Sequence, residues 1–254
     1  MTMKLSVCVD SIYRGKDFFE SIQEIQEIGY DTIEFWSWWD KDLDRLEQTV
    51  NETGLRIGSI CTKFVSLVEP SQREKFVTGL RESIAAAKRI GCSALIGQTG
   101  QLLEGVPREL QQQSIIEGLK ASAPLLEEAG ITLVIEPLNT LVDHGGYYLT
   151  TSEEAFHIVR EVGSPFIKIV FDIYHQQITE GNLLANILPN LDWIGHFHAA
   201  GNPGRHELSS GELHYPRIFA AIEAAGYSGY MGLEYFPKDA PAVGLKQLLE
   251  PGWN

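Results

Sequence analysis

Short runs of β-branched and aromatic residues alternate along the chain with longer stretches in which apolar residues recur every three or four positions. The short runs predict eight strands, at 4–9, 32–36, 56–60, 94–97, 132–136, 167–172, 193–198 and 231–235. The longer stretches predict amphipathic helices at 17–29, 43–54, 71–91, 107–130, 152–163 and 215–226. Because strands and helices alternate, we expect a parallel sheet with right-handed crossover connections.

Residues with well-defined capping preferences mark the ends of these predicted helices. Five of the helices end in a glycine that directly precedes a predicted strand or turn: Gly29, Gly54, Gly91, Gly130 and Gly226. Glycine at this place readily adopts the left-handed conformation that ends a helix. Ser71 and Ser152 are predicted N-caps, and acidic residues follow Ser152 as a helix N-terminus favours.

Eight strand–helix units in 254 residues favour an α/β fold of one type, a closed (β/α)8 TIM barrel. We therefore predict a single TIM-barrel domain over residues 1–254. A doubly wound open sheet is the alternative, but it favours a glycine-rich phosphate turn after the first strand. The stretch "CVDSIYRG" contains no GxGxxG pattern, so the barrel is preferred.

The net charge of -14 changes the set of expected partners. Nucleic acids and anionic membranes require clustered Lys and Arg, so neither is an expected partner. A small anionic substrate remains compatible, because a metal ion or one arginine can set the field inside a pocket. The three cysteines, Cys8, Cys61 and Cys92, have no CxxC spacing and are expected to be buried thiols. With no signal-peptide pattern at the N-terminus, the predicted localisation is cytoplasmic.

Ligand-type side chains end four consecutive predicted strands: Glu136, Asp172, His198 and Glu234. Each alone could be a capping carboxylate or a packed core histidine. In a barrel, however, the carboxyl ends of the strands share one mouth, and three converging carboxylates repel one another. A divalent ion would remove that repulsion. Three carboxylates and one imidazole suit Mn²⁺ or Mg²⁺, with Co²⁺ as a further option.

Further polar and aromatic residues lie near these strand ends. His175 follows Asp172 by three positions, and the polar loop after the seventh strand contains Arg205 and Glu207. Trp36 ends the second strand and is expected to line the pocket. We therefore predict that Arg205, Glu207 and Trp36 bind the substrate.

Two more titratable residues are expected inside the barrel. His196 lies two positions before His198 and so faces the same side, one layer deeper, where a packed interior histidine is expected. Glu34 alternates with Phe35 on the second strand and is a candidate to face the barrel axis, with no role assigned.

Four stretches of the chain resemble one family: "IEPLNTLVDHGGYYL", "IVFDIYHQQITEGNL", "GHFHAAGNPGRHELSSGELHYPRIF" and "GYSGYMGLEYFPK". They resemble the xylose-isomerase-like sugar isomerase/epimerase barrels, and within these the hydroxypyruvate isomerase-like branch. The resemblance implies a divalent metal on Glu136, Asp172, His198 and Glu234. It also implies that Glu136 and Glu234 act as the acid/base pair, and that His175 and Arg205 bind substrate oxygens. His198 departs from those members of the branch that carry Gln and matches epimerase-like members.

The residues and the resemblance together predict an isomerase of a keto sugar or short hydroxy-keto acid, acting by glutamate-to-glutamate proton transfer beside a carbonyl. A ketose 3-epimerase of the D-tagatose/D-psicose type would use the same site. An endonuclease IV-like phosphodiesterase is less favoured, because it needs additional histidines and Gln98 occupies a useful position for one. A sugar-binding barrel without catalysis is the last alternative. Aromatic loop residues and the family resemblance favour a homodimer or homotetramer.

Overall fold

Eight parallel strands close into a barrel in the computed structural model, which describes residues 3–253. The strands are β1 (Lys4–Cys8), β2 (Thr32–Phe35), β3 (Arg56–Cys61), β4 (Ala94–Gly97), β5 (Thr132–Ile135), β6 (Ile167–Asp172), β7 (Ile194–Ala199) and β8 (Tyr230–Leu233). Each strand pairs in parallel with the next, and β1 closes the ring against β8 through the pairs Lys4–Tyr230 and Val7–Leu233. The predicted (β/α)8 barrel is therefore confirmed.

Helices surround the barrel and connect its strands. They are α1 (Val9–Ile12), α2 (Phe18–Ile28), α3 (Leu43–Thr53), α4 (Arg73–Arg89), α5 (Arg108–Ala129), α6 (Ser152–Val162), α7 (Ile173–Thr179), α8 (Leu183–Ile187), α9 (Tyr215–Ala224) and α10 (Pro241–Gln247). Short 3₁₀ helices occupy Pro70–Gln72 and Leu188–Trp193. The six predicted helices correspond to α2, α3, α4, α5, α6 and α9. The other four have seven residues or fewer, too short to show a helical period in sequence.

The helix ends follow the predicted glycine chemistry but not the predicted serine caps. All five glycines have positive φ, from 66° at Gly91 to 117° at Gly29. Thr151, rather than Ser152, caps α6 and accepts a hydrogen bond from the Glu154 amide at 3.3 Å. Ser71 is also not an N-cap, because the 3₁₀ helix beginning at Pro70 precedes α4. A proline with fixed φ starts that tighter turn before the α-helix begins.

The barrel interior and the layer between barrel and helices form the core. The β1 to β8 strands are buried on both faces, as expected where helices cover a parallel sheet. Cys8, Cys61 and Cys92 are buried free thiols within the described residues, as predicted. No helix among residues 3–253 combines the length and the apolar character needed to cross a membrane.

Candidate active site

The four predicted ligand residues meet at the carboxyl-terminal mouth of the barrel. Glu136 directly follows β5, Asp172 ends β6, His198 lies in β7, and Glu234 directly follows β8. One ligand atom from each lies within 4.8 Å of the corresponding atoms of the others, and all four side chains are buried. We call these four residues the ligand cluster. Its members come from four consecutive strands, β5 to β8, whose carboxyl ends meet at the same mouth of the barrel.

Glu234 is held at both carboxylate oxygens. The Trp36 indole Nε1 donates to Oε1 at 2.6 Å, and Arg205 donates from Nη2 to Oε2. Burial acts to raise the pKa of Glu234, but His198, Arg205 and the Trp36 hydrogen bond outweigh burial and lower that pKa. Glu234 is therefore a fixed carboxylate at neutral pH.

The Glu136 carboxylate makes fewer hydrogen bonds than that of Glu234. Its Oε1 lies 3.0 Å from His198 Nδ1, which is its one hydrogen-bond partner among residues 3–253. Burial raises the pKa of Glu136, and the opposing charge of His198 does not fully offset this effect. The two glutamates thus have pKa values shifted in opposite directions, an arrangement that suits one acid and one base.

The two carboxylate oxygens of Asp172 have different environments, since one accepts backbone hydrogen bonds and the other has no hydrogen-bond partner in the described chain. Its Oδ1 accepts hydrogen bonds from the amides of Tyr174 at 2.7 Å and His175 at 3.1 Å, and so caps α7. Its buried Oδ2 has no hydrogen-bond partner in the described chain and lies 3.6 Å from His175 Nε2. A buried carboxylate oxygen without a donor requires an explanation, and a cation supplies one. This orphaned oxygen, with a donor set of three carboxylates and one imidazole, fits a divalent ion.

His198 is oriented by a buried carboxylate to which the sequence analysis assigned no role. Its Nε2 lies 3.1 Å from Glu34 Oε1, while Glu34 Oε2 lies 3.0 Å from His196 Nε2. Burial acts to raise the pKa of Glu34, but the two histidines outweigh it and lower the pKa to about 2. The Glu34 carboxylate therefore faces Nε2 of His198 as an ion-pair partner, while Nδ1 faces Glu136. Carboxylates that orient a ligating histidine in this way are common around metal sites.

Glu34, His196 and His198 are themselves close enough together to hold an ion. In the structure, however, each Glu34 oxygen already faces a histidine nitrogen, Oε2 at 3.0 Å from His196 and Oε1 at 3.1 Å from His198. His196 is buried in the barrel interior, as predicted, and contacts Glu34 there.

A cavity of about 520 Å³ opens at the mouth above the ligand cluster. Trp36 lines it, as expected, together with Arg14, Gln98, His144, Arg205 and Phe236. Glu207 does not line this cavity, and its Oε1 instead accepts a hydrogen bond from the Lys238 amide at 2.9 Å. The structure thus brings Trp36 and Arg205 to the pocket and places Glu207 outside its lining.

His175 lies fully buried behind Asp172 and also does not line the cavity. Its Nδ1 is 2.6 Å from the Asn139 amide nitrogen. The Asn139 oxygen accepts from the amides of Val142 and Asp143, so its Nδ2 must be the donor to His175. His175 Nε2 therefore carries the ring proton and faces Asp172. Burial first, and then Arg205, lower the pKa of His175, which keeps the ring neutral.

Comparison with known proteins identifies one family and several relatives of this chain. A family model described as "Xylose isomerase-like TIM barrel" matches residues 22–251. The hydroxypyruvate isomerase of Escherichia coli strain K12 is 28% identical over 96% of this chain and 97% of its own length. The 2-oxo-tetronate isomerase of Cupriavidus necator is 33% identical over 69% of this chain and 67% of its own length.

Solved structures share the fold over nearly the whole chain. A protein titled AP endonuclease, family 2, from Brucella melitensis has a TM-score of 0.92 at 26% identity, covering 98% of both chains. The D-psicose 3-epimerase of Clostridium cellulolyticum has a TM-score of 0.80 at 17% identity, covering 96% of this chain and 89% of its own. The second likeness shows the common fold alone.

Proposed function

We propose that this chain, which belongs to the xylose isomerase-like TIM-barrel family, is a divalent-metal-dependent isomerase of a short 2-oxo acid with a hydroxyl group on the neighbouring carbon. The observation that carries the proposal is the ligand cluster, whose ligand atoms lie within 4.8 Å of one another at the barrel mouth. Relatives named hydroxypyruvate isomerase and 2-oxo-tetronate isomerase support this substrate class.

The ligand cluster would hold a divalent ion such as Mn²⁺ or Mg²⁺. When bound, this ion supplies Lewis-acid stabilisation of the negative charge that develops on the substrate oxygens. Arg205 adds a fixed positive charge beside the cluster, since it is buried against Glu234.

The two glutamates would move the protons. With hydroxypyruvate as the substrate, Glu234, held ionised by Trp36 and Arg205, removes a proton from C3. Glu136 would donate a proton to C2. The C3 hydroxyl proton passes to the oxygen on C2, and the product is 2-hydroxy-3-oxopropanoate. The enzyme is regenerated when a proton returns from Glu234 to Glu136, so no other reactant is required.

Epimerisation of a ketose is the second candidate. A cavity of about 520 Å³ has more room than a three-carbon acid requires, which favours testing larger substrates. In that reaction one glutamate would remove the proton at C3 of the ketose, and the other would return a proton to the same carbon from the opposite face.

Product analysis in D₂O tests both candidates. Purified protein loaded with Mn²⁺ or Mg²⁺ is incubated with hydroxypyruvate, D-psicose or D-tagatose, and the products are identified by mass spectrometry and chromatography after removal of the ion. We expect 2-hydroxy-3-oxopropanoate with deuterium at C2. We expect Glu136→Gln and Glu234→Gln each to lower kcat about 100-fold or more.

The exposed Glu104, which has no polar partner in the described chain, provides the matched control, and Glu104→Gln should keep full activity. Epimerised ketose without any change in hydroxypyruvate would replace the first candidate with the second. Unchanged substrates with no deuterium uptake would reject both.

A further inference from the structure

A second guanidinium group faces the pocket beside Arg205. Arg14 lies in the connection between α1 and α2, lines the cavity, and is exposed to solvent. Its Cζ lies 5.8 Å from the centroid of the Phe236 ring. Within the described part of the chain, this cation–π contact is its one polar or electrostatic interaction, so its five N–H donors are available to a ligand.

Arg205 differs from Arg14 in this respect, although both guanidinium groups approach the same ring. Arg205 Cζ lies 5.5 Å from the Phe236 centroid, but its Nη2 donates to Glu234. Arg205 is also buried, whereas Arg14 is exposed. The charge of Arg205 is therefore neutralised by Glu234, whereas Arg14 has no ion-pair partner among the described residues.

The charge of the loaded pocket shows what Arg14 adds. With Glu136 protonated as the proposed acid, the carboxylates of Asp172, Glu234 and Glu34 would be offset by a divalent ion and by Arg205, which leaves this part of the pocket neutral. Asp143 also lines the cavity, and hydrogen bonds from Asn139 and Tyr174 at 2.8 and 2.9 Å hold it as a carboxylate. Without Arg14, a substrate carboxylate would meet a net negative pocket. With Arg14, the charge of Asp143 is balanced.

We infer that Arg14 binds the carboxylate of the substrate and so selects a 2-oxo acid over the corresponding neutral ketose. A guanidinium matches a carboxylate with two parallel N–H donors, and the Phe236 face holds the group without competing for those donors. This inference rests on the proposed isomerase function for the identity of the substrate. It adds a specificity residue that contacts substrate away from the reacting carbons.

The test uses two substrates of the same size that differ at one carbon. Hydroxypyruvate has a carboxylate where dihydroxyacetone has a hydroxymethyl group. For Arg14→Gln we expect KM for hydroxypyruvate to rise about 10- to 100-fold with kcat changed less than about threefold, since a charge-assisted contact is lost. The kinetic constants for dihydroxyacetone should stay within a factor of two, and Arg14→Lys should recover part of the loss.

Arg81→Gln provides the matched control, because Arg81 is an exposed arginine on α4 with no polar partner among the described residues. It should behave as wild type. An Arg14→Gln protein with unchanged KM for hydroxypyruvate would overturn the inference. An equal loss on both substrates would also overturn it, because it would indicate a general structural effect.

Binding measured by calorimetry separates this inference from the proposed function. If the wild-type protein converts neither substrate, the isomerase proposal fails, and the affinity of the metal-loaded protein for hydroxypyruvate is compared between wild type and Arg14→Gln. Weaker binding by Arg14→Gln would still support carboxylate recognition. Equal binding, or no binding by wild type, would overturn it.

Discussion

Glu34 connects the barrel interior to the ligand cluster. It contacts His198 at 3.1 Å and His196 at 3.0 Å, although β2 and β7 are not adjacent strands. The sequence predicts the four ligands because they end consecutive strands. It does not predict the Glu34 contact, because this contact crosses the barrel and depends on strand tilt and register. An acidic residue within the otherwise apolar strand "TIEF" was the available signal.

Replacing Glu34 tests whether it orients His198. We expect Glu34→Gln to weaken Mn²⁺ binding about 10- to 100-fold, as for other residues that support a metal ligand. Calorimetric titration of the metal-free protein measures this directly, with Glu104→Gln as the control. Unchanged Mn²⁺ affinity in a folded Glu34→Gln protein would show that Glu34 has no orienting role.

The protonation of His198 gives a pH dependence with a definite sign. Burial acts to lower the pKa of His198, but Glu234, Glu136 and Glu34 outweigh it and raise the pKa well above 6.5. The metal-free fold therefore gains stability from this group below about pH 6.5, and loses that contribution as the pH rises through the raised pKa. An ion needs the unprotonated Nδ1, so Mn²⁺ affinity should increase as the pH rises.

Calorimetry at pH 7 in buffers of different ionisation enthalpy measures the protons released on Mn²⁺ binding. We expect about one proton per ion for wild type and fewer for His198→Gln. A wild-type value of zero would mean that His198 is already neutral, or that it is not a ligand.

At the scale of elements, hydrophobic periodicity predicts the barrel well and its short segments poorly. The eight predicted strands match the observed ones to within two residues at each end. The missed helices α7 and α8 lie between β6 and β7, where Asp172 caps α7 through hydrogen bonds that have no period in sequence. Glu207 shows a second limit of prediction from sequence. Its position in a loop near the site does not reveal that its carboxylate accepts a hydrogen bond from the Lys238 amide of another loop.

Strand β8 contains a glycine, Gly232, that packs directly against Glu34 and His198. A Cβ added at Gly232 would lie 2.3 Å from Glu34 Oε1 and 2.6 Å from His198 Cδ2. We expect Gly232→Ala to lower the free energy of unfolding by about 1–3 kcal/mol, because these packed side chains must shift, and to weaken Mn²⁺ binding as well. Urea denaturation and Mn²⁺ titration measure the two effects.

Gly145→Ala is the control for this substitution, since an added Cβ there meets no atom within 4 Å. We expect Gly145→Ala to change the free energy of unfolding and the Mn²⁺ affinity much less than Gly232→Ala does. Equal behaviour of the two variants would show that the space at Gly232 is not needed.

At the scale of the whole molecule, the ligand cluster concentrates part of the net charge of -14 in the centre of the mouth. An ion that binds only the folded state should therefore stabilise the entire barrel. At a free concentration about 1,000-fold above Kd this linkage is worth about 4 kcal/mol, or roughly 10 °C in Tm for a chain of this size.

Thermal denaturation with Mn²⁺ or with a chelator measures this shift, and His198→Gln should show a much smaller one. A wild-type Tm that is the same in Mn²⁺ and in chelator would indicate that no ion binds the folded barrel with useful affinity. The predicted homodimer or homotetramer is tested in the same samples by light scattering.

A crystal structure with Mn²⁺, examined for anomalous scattering at the manganese edge, tests the central claim most directly. The ligand cluster predicts one strong peak per chain, within bonding distance of Glu136, Asp172, His198 and Glu234, with Glu34 bound to His198 rather than to the ion. A peak enclosed instead by Glu34, His196 and His198, or no peak at the mouth at saturating Mn²⁺, would contradict it.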